Sequence, residues 1–491
     1  MLITEANQPP AAYAATGPGP KAPALCVDLD GTLIKSDTFL DAMLTLFRRS
    51  PVTALLSTFS LLRGKAAFKA EIARHITLDP ATLPYNRPLL NHLRAEHAAG
   101  RDIYLATAAN EKQARGIAAY LGIIAGVFAS RESVNLRQGA KLEELQRQFP
   151  EGFDYVGNAT PDIPVLSQAK TGMLANPSPG LAARLKLQQI KIHRIFEDRA
   201  PWLRTLLKVT RVRQWPKNFL IFLPVLLAHR ITDRHKLLAA FIAFLSFSLV
   251  ASTSYILNDM LDVEADRNHP TKRERPFAAG DLSPQVGIAL MFILVGGAAA
   301  LAWTLPLQFT FWLSAYFVTT VTYSLLLKKI ALLDVVTLAG LYTVRLIVGG
   351  AASEVPLSPW LGGFSIFFFL SLAMVKRYAE LDNLRREGRS PANERGYFLE
   401  DLEQLRSFGT ASAYASIVIF TLYINNSEIT HLYSRAHRLW MLIPVLILWI
   451  SRIWLLAHRG KLDEDPVVFA LTDRLSPAFG LVALLIVRSA V

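Results

Sequence analysis

Two patterns of apolar positions divide the chain. From residue 22 to about 195, short apolar runs alternate with polar stretches of helical period, the pattern of a soluble α/β domain. Ala24-Leu25-Cys26-Val27, Ile103-Tyr104-Leu105-Ala106 and Phe153-Asp154-Tyr155-Val156 read as buried parallel strands. Between the first two, residues 39–98 are apolar at helical spacing and carry no strand signal, which predicts a helical cap, about 34–99, inserted into the sheet domain. Beyond residue 199, apolar runs recur at 237–256, 286–304, 309–327, 332–352, 360–375, 408–424, 439–456 and 469–487. Each approaches the roughly 20 residues that cross a bilayer's hydrocarbon. A shorter run, 218–228, follows Arg204, Lys208, Arg211, Arg213 and Lys217 and reads as the end of a first span entered from an interfacial helix. The expectation is a disordered tail at 1–21, an α/β domain at 22–195, and an all-α bundle of nine transmembrane helices at 200–491.

The loops between spans add an orientation. Arg267, Lys272, Arg273 and Arg275 share one, Lys328 and Lys329 a second, residues 376–406 a third, and Arg459 and Lys461 a fourth. With nine spans these lie on one side, which predicts an inner (plasma) membrane protein with its N-terminal domain and active sites in the cytoplasm. The Ala/Pro/Gly-rich start lacks the apolar core of a signal peptide. A net charge of +13 arises mostly in these short segments, which fits a membrane surface and phosphorylated ligands and argues against nucleic acid. The single cysteine, Cys26, excludes an intramolecular disulfide and any cysteine-cluster metal site.

Candidate chemistry lies at two places. Asp28-Leu29-Asp30-Gly31-Thr32 follows a strand and sets two carboxylates at its C-terminal end, suited to a phosphoryl-accepting aspartate and a proton carrier beside Mg²⁺. This resembles the first motif of the haloacid dehalogenase (HAD) superfamily, over residues 22–190. The resemblance implies that Thr107 binds phosphoryl oxygens, that Lys141 neutralises the nucleophile and phosphoryl group, and that Asp28, Asp30 and Asp162 ligate Mg²⁺. In Gly157-Asn158-Ala159-Thr160-Pro161-Asp162 the chain departs from active relatives, which usually carry an aspartate where Asn158 stands. A degenerate scaffold is the competing reading of this domain.

The second place is Asn258-Asp259-Met260-Leu261-Asp262-Val263-Glu264-Ala265-Asp266, at the basic end of a span. Its spacing predicts one helical face carrying Asp259, Asp262 and Asp266, with Asn258 a turn before Asp262. Three like charges so placed become reasonable when they share Mg²⁺ with a diphosphate, and Lys272, Arg273 and Arg275 follow in the same loop. The pattern resembles the UbiA superfamily of intramembrane prenyltransferases, and within it the decaprenyl-phosphate phosphoribosyltransferases. Gln214-Trp215-Pro216-Lys217-Asn218, the aspartate segment continuing to Arg273, Tyr323-Ser324 with Lys328, and Lys376-Arg377-Tyr378-Ala379-Glu380-Leu381 carry that resemblance, with Asp465-Pro466 and Asp473-Arg474 similar too. Where prenyltransferases have a second aspartate-rich motif, this chain has Lys376, Arg377, Glu380 and Asp382. One acidic and one mainly basic cluster suit a Mg²⁺-bound phosphoribosyl diphosphate (PRPP) and a bare polyprenyl phosphate. The implied substrate-binding set is Lys217, Asn218, Asn258, Lys272, Arg273, Arg275, Tyr323, Lys328, Arg345, Lys376, Arg377 and Glu380. Arg345, in mid-span, is expected to face the bundle interior, in a ligand contact or an ion pair. The function the resemblance implies is transfer of 5-phosphoribosyl from PRPP to a polyprenyl phosphate for cell-envelope precursor synthesis, with the HAD domain removing the product's 5-phosphate. Prenyl transfer from a prenyl diphosphate to an aromatic acceptor, and a non-enzymatic lipid transporter with the HAD domain as a regulatory scaffold, are the competing functions.

Overall fold

The computed structural model describes residues 22–130, 136, 138–388, 395–427, 431–462, 469, 473 and 475–491. The expected tail, 1–21, and Asp465, Pro466 and Arg474 lie outside them. The described residues fall into two compact units: those up to Pro201 with Leu261–Ser283, and those of Trp202–Met260 with Pro284–Val491.

In the first unit, strands β1 (Ala24–Val27), β2 (Ile103–Asn110), β3 (Gly126–Ser130), β4 (Phe153–Gly157), β5 (Gly172–Ala175) and β6 (Ile192–Phe196) form one parallel sheet in the order β3-β2-β1-β4-β5-β6. The order reverses beside β1, so the chain leaving β1 opens at the crevice where doubly wound sheets bind ligands. Successive β1 residues serve opposite faces: Leu25 and Val27 enter one apolar core, Cys26 the other. Burial pushes the Cys26 thiol up to about 12, so it is an inert core group. Helices α1 (Thr38–Arg49), α2 (Pro51–Ser57), α3 (Lys65–His75) and α4 (Arg87–Ala98) fill the interval between β1 and β2. Asp37 caps α1 by accepting from the amides of Phe39 and Leu40, and Asn86 caps α4 by accepting from Leu89. Helices α5 (Glu111–Leu121), α6 (Gly139–Gln148), α7 (Ile163–Gln168) and α8 (Leu181–Leu187) alternate with the later strands.

The second unit is helical: α9 (Trp202–Val209), α10 (Leu223–Leu227), α11 (Arg234–Leu261, whose last residue falls in the first unit), then α13 (Pro284–Ala302), α14 (Leu307–Leu325), α15 (Leu333–Ser353), α16 (Pro359–Arg386), α17 (Leu402–Ile424), α18 (Leu442–His458) and α19 (Ser476–Ala490). The short α12 (Val263–Arg267) belongs to the first unit. Six helices are long and apolar enough to cross a membrane: Arg234–Leu261, Pro284–Ala302, Leu333–Ser353, Pro359–Arg386, Leu399–Ile424 and Ala436–His458. This is an integral membrane protein, with six such spans among the described residues where nine are expected. The expected first span is a 3₁₀ stretch, Val212–Phe222, with Pro216 inside it, running into five-residue α10. The expected third run of polar-speckled sequence forms the 19-residue α14, and the last is the 15-residue α19. At Gly349 of α15 an added Cβ would lie 2.1 Å from the carbonyl oxygen of Ile221, so only glycine lets these two segments touch.

Candidate functional sites

The crevice at β1 assembles most of the expected phosphoryl-transfer set. Asp28 leaves the strand with its amide donating to the carbonyl of Val156, 3.0 Å, which fixes where its carboxylate starts. Lys141, in the first turn of α6, donates to Asp28 Oδ1 at 2.9 Å, to Asp162 Oδ1 at 3.3 Å and to the Tyr155 hydroxyl at 2.9 Å. Tyr155 in turn donates to Asp162 Oδ1, 2.8 Å, while the amides of Asn158 and Ala159 donate to Asp162 Oδ2 at 3.0 and 3.1 Å. Both oxygens of Asp162 therefore accept hydrogen bonds within the protein, Oδ1 from Lys141 and Tyr155 and Oδ2 from the two amides. Thr107, buried in β2, accepts from the amide of Ala109 at 3.0 Å. Asp30 accepts from the amide of Thr38 at 2.8 Å. Gly31 has φ +74°, and an added Cβ would meet the Asn158 side-chain amide nitrogen at 2.2 Å, so Asn158 is packed down on the turn that follows Asp30.

The electrostatics of this crevice fit a divalent cation. Burial pushes Asp28 up to about 6, against the pull of Lys141, and burial followed by the neighbouring Asp37 pushes Asp30 up to about 8. Lys141 goes up despite its burial, because Asp28 and Asp162 favour its charge. Hard-oxygen donors short of cation are what Mg²⁺ relieves. Among the described residues no three acidic, histidine or cysteine side chains make a cage by themselves, so substrate and water oxygens are needed to complete a shell.

The aspartate segment is not one continuous helix. Helix α11 ends at Leu261, Asp262 takes a non-helical conformation (φ −93°, ψ 9°), and α12 begins at Val263. Aspartate is a weak helix former, and here its side chain is drawn to Arg48, 3.1 Å away. Asp262, Asp266 and the loop to Ser283 belong to the α/β unit. Asp266, buried, accepts from Arg275 at 2.8 and 3.0 Å. Arg267 pairs with Asp41 at 2.8 Å, and Lys35 with Asp281 at 2.8 Å. Lys272 is half-buried and Arg273 exposed, in a 3₁₀ turn.

In the helical unit Asp259 is buried and paired with Arg211, whose guanidinium lies 4.8 Å from the centre of the Tyr255 ring. Lys328 donates to Asn258 Oδ1 at 3.4 Å. Asn218 donates to Ser248 at 2.9 Å and accepts from Arg345 at 2.9 Å. Arg345 also donates to the Leu341 carbonyl and lies 5.0, 5.1 and 5.5 Å from the ring centres of Tyr342, Phe247 and Tyr316. Lys217 lies 6.0 Å from the Tyr342 ring. Arg377 is buried between Asp334 and Glu380, and Tyr323 donates to Asp334 at 2.6 Å. Lys376 is half-buried beside it. Three groups escaped sequence reasoning as site residues: Tyr155, the Arg345 rings, and Arg211 as the partner of Asp259. Arg211 carried a signal, since it stands three residues before Gln214-Trp215-Pro216 in a basic stretch; the rings carried none.

Residues 219–473 match the UbiA prenyltransferase family. The Sinorhizobium fredii protein y4nM is 37% identical over 457 residues, 93% of this chain and 88% of its own length. Decaprenyl-phosphate phosphoribosyltransferase of Mycobacterium tuberculosis is 32% identical over 290 residues, 58% of this chain and 93% of its own. Among solved structures, a HAD family hydrolase from Salmonella enterica aligns with 35% of this chain and 67% of its own, at 18% identity and a TM-score of 0.26.

Proposed function

We propose that this chain, which belongs to the UbiA prenyltransferase family, transfers the 5-phosphoribosyl group of PRPP to a polyprenyl, decaprenyl-type, phosphate for cell-envelope precursor synthesis. A phosphate oxygen of the lipid attacks the anomeric carbon, the bond from that carbon to the diphosphate oxygen breaks, and diphosphate leaves. Asp259, Asp262 and Asp266 would hold Mg²⁺ in place of their arginine partners, and the metal would supply charge neutralisation for the departing diphosphate. Lys272, Arg273 and Arg275 take up donor phosphates. The nucleophile is already an anion, so it needs orienting cations rather than a strong base; Arg345, with Asn218 and Lys217, and the neighbouring Lys328 and Lys376 are the candidates. Arg377, gripped by two carboxylates, positions Glu380, Asp334 and Tyr323. The observation that supports this reading best is Arg345, a buried cation held by an amide, a carbonyl and three rings, with no carboxylate in ion-pair range among the described residues. Such a cation suits an anionic ligand.

The product keeps a 5-phosphate, and the α/β unit removes it. Asp28 attacks the phosphorus, the ribosyl 5-oxygen leaves with a proton from Asp30, and water then cleaves the aspartyl phosphate to release inorganic phosphate. Thr107 and Lys141 hold the phosphoryl oxygens; Asp28 and Asp30 would hold Mg²⁺, with Asn158 beside them and Asp162 keeping Lys141 in place. The membrane part has nine spans in this reading, the six long helices plus Val212–Leu227, α14 and α19, which puts the basic loops and both sites on the cytoplasmic side of the inner membrane.

Purified protein incubated separately with ribose-labelled PRPP and with labelled prenyl diphosphate tests the transfer. Label passing from PRPP into the lipid phase is expected. Label passing only from prenyl diphosphate to an aromatic acceptor refutes it in favour of an ordinary prenyltransferase, and full function in Asp262→Asn refutes any Mg²⁺-dependent transfer.

A further inference from the structure

The cap of the α/β unit wears its apolar side chains outward. Nine large apolar side chains stand exposed between residues 22 and 201, and six of them fall within eleven residues: Val52, Leu55, Leu56, Phe59, Leu61 and Leu62. Val52, Leu55, Leu56 and Phe59 follow the i, i+3, i+4, i+7 spacing of one helical face, through α2 and the 3₁₀ turn Thr58–Arg63. That face is 60 to 68% exposed and Leu62 is 89% exposed, whereas Ala54 and Ser57, small or polar, are turned into the fold. The usual assignment of apolar residues inward is inverted here. A soluble domain gains nothing from such a patch unless something covers it.

Three observations say what covers it. Residues 42–70 contain Arg48, Arg49, Arg63, Lys65 and Lys69 and no acidic residue; Arg48 and Arg49 are paired with Asp262 and Glu264, and it is the exposed Arg63 and Lys65 that border the patch with positive charge. Apolar side chains framed by basic ones match an anionic lipid surface. The unit is also chained to membrane helices: it is continuous with α9 at Pro201, receives the chain from the span Arg234–Leu261, and returns it at Ser283 to the span Pro284–Ala302. Finally, the patch is one short helical stretch, an α-helix running directly into a 3₁₀ turn, with Pro51 at its start and Gly64 at its end, so it can enter an interface without unfolding the sheet.

We propose that residues 51–65 of the cap dock into the headgroup and upper acyl region of an anionic bilayer, with Val52, Leu55, Leu56, Phe59 and Leu62 inserted and Arg63 and Lys65 on lipid phosphates. This goes beyond the transferase reading and does not depend on it; its consequence is that the phosphatase crevice works at the bilayer surface, where a lipid-linked sugar phosphate is presented.

The test uses the full chain in nanodiscs of phosphatidylcholine and phosphatidylglycerol. Single cysteines at Leu55, Leu62 and, as a control, exposed Leu187 of α8 are labelled with an environment-sensitive fluorophore; native Cys26 is buried and unreactive. Labels at 55 and 62 should shift to the blue and lose emission to nitroxides on lipid acyl chains, while the label at 187 should lose emission only to aqueous iodide. The shift at 55 and 62 should shrink in discs of phosphatidylcholine alone. In the unsubstituted protein, a lipid with a photoactivatable acyl chain should crosslink within residues 51–65. Iodide quenching at 55 and 62 equal to that at 187, or protection from iodide without any lipid quenching, as a second copy of the chain would give, overturns the proposal. These readouts are independent of catalysis, so an inactive phosphatase or transferase leaves them intact.

Discussion

In the α/β unit the buried crevice is overstocked with negative charge, whereas in the helical unit the unmatched buried charge is positive. Asp28 and Asp162 share one cation, Lys141, Asp30 adds a further carboxylate beside Asp28, and burial drives Asp28 up to about 6 and Asp30 up to about 8. In the bundle, Asp334 is paired with Arg377, Asp259 with Arg211, and Asp382 with Arg385 and Arg386, leaving Arg345 among neutral partners. An imbalance of buried charge is costly and persists where a ligand relieves it. On the proposed function, Mg²⁺ would relieve the acidic crevice and the lipid phosphate would answer Arg345.

Asp28→Asn breaks the comparison most sharply on the acidic side. Phosphate release from the phosphorylated lipid should fall by about 1000-fold or more while ribosyl transfer continues, so the phosphorylated lipid accumulates. In the bundle, Asp334→Asn leaves Arg377 short of its buried carboxylate and should cost about 3 to 5 kcal/mol, read as a lower unfolding midpoint in detergent. The double change Asp334→Asn with Arg377→Gln should lose less than the two single losses combined, as expected of a pair. Arg345→Gln should lower transfer by roughly 100-fold without a comparable loss of stability, and Arg345→Lys should recover part of it by keeping the charge among the rings. At the small end, Glu144→Gln removes the partner of exposed Arg147 and should change stability by no more than about 0.5 kcal/mol and neither activity.

Strands β1, β2 and β4 were legible because each is an apolar run bounded by polar turns. Strands β3, β5 and β6 were not: β5 is only Gly172–Ala175, and β6 exposes His193, Arg194 and Ile195 in a row and buries only Phe196, in the manner of a sheet edge. The order of Asp28, Thr107, Lys141 and Asp162 along the chain was readable from motifs, yet Tyr155, which bridges Lys141 and Asp162, looks in sequence like one more core aromatic. Pairings across long separations were beyond reach. Arg345 with Asn218 is 127 residues apart, and Lys35 with Asp281, which helps fasten the 261–283 loop to the α/β unit, is 246 apart. Helix continuity through Asp262 failed for a related reason, because the partner that draws its side chain aside, Arg48, lies far upstream.

PRPP carrying carbon label in the ribose and phosphorus label in the 5-phosphate, supplied with polyprenyl phosphate and Mg²⁺, tests the whole account at once. Ribose carbon should enter the lipid phase and the 5-phosphate label should then appear as inorganic phosphate, with Asp28→Asn retaining both labels on the lipid and Asp262→Asn retaining neither. Ribose carbon that never leaves the aqueous phase with the unsubstituted protein would contradict it.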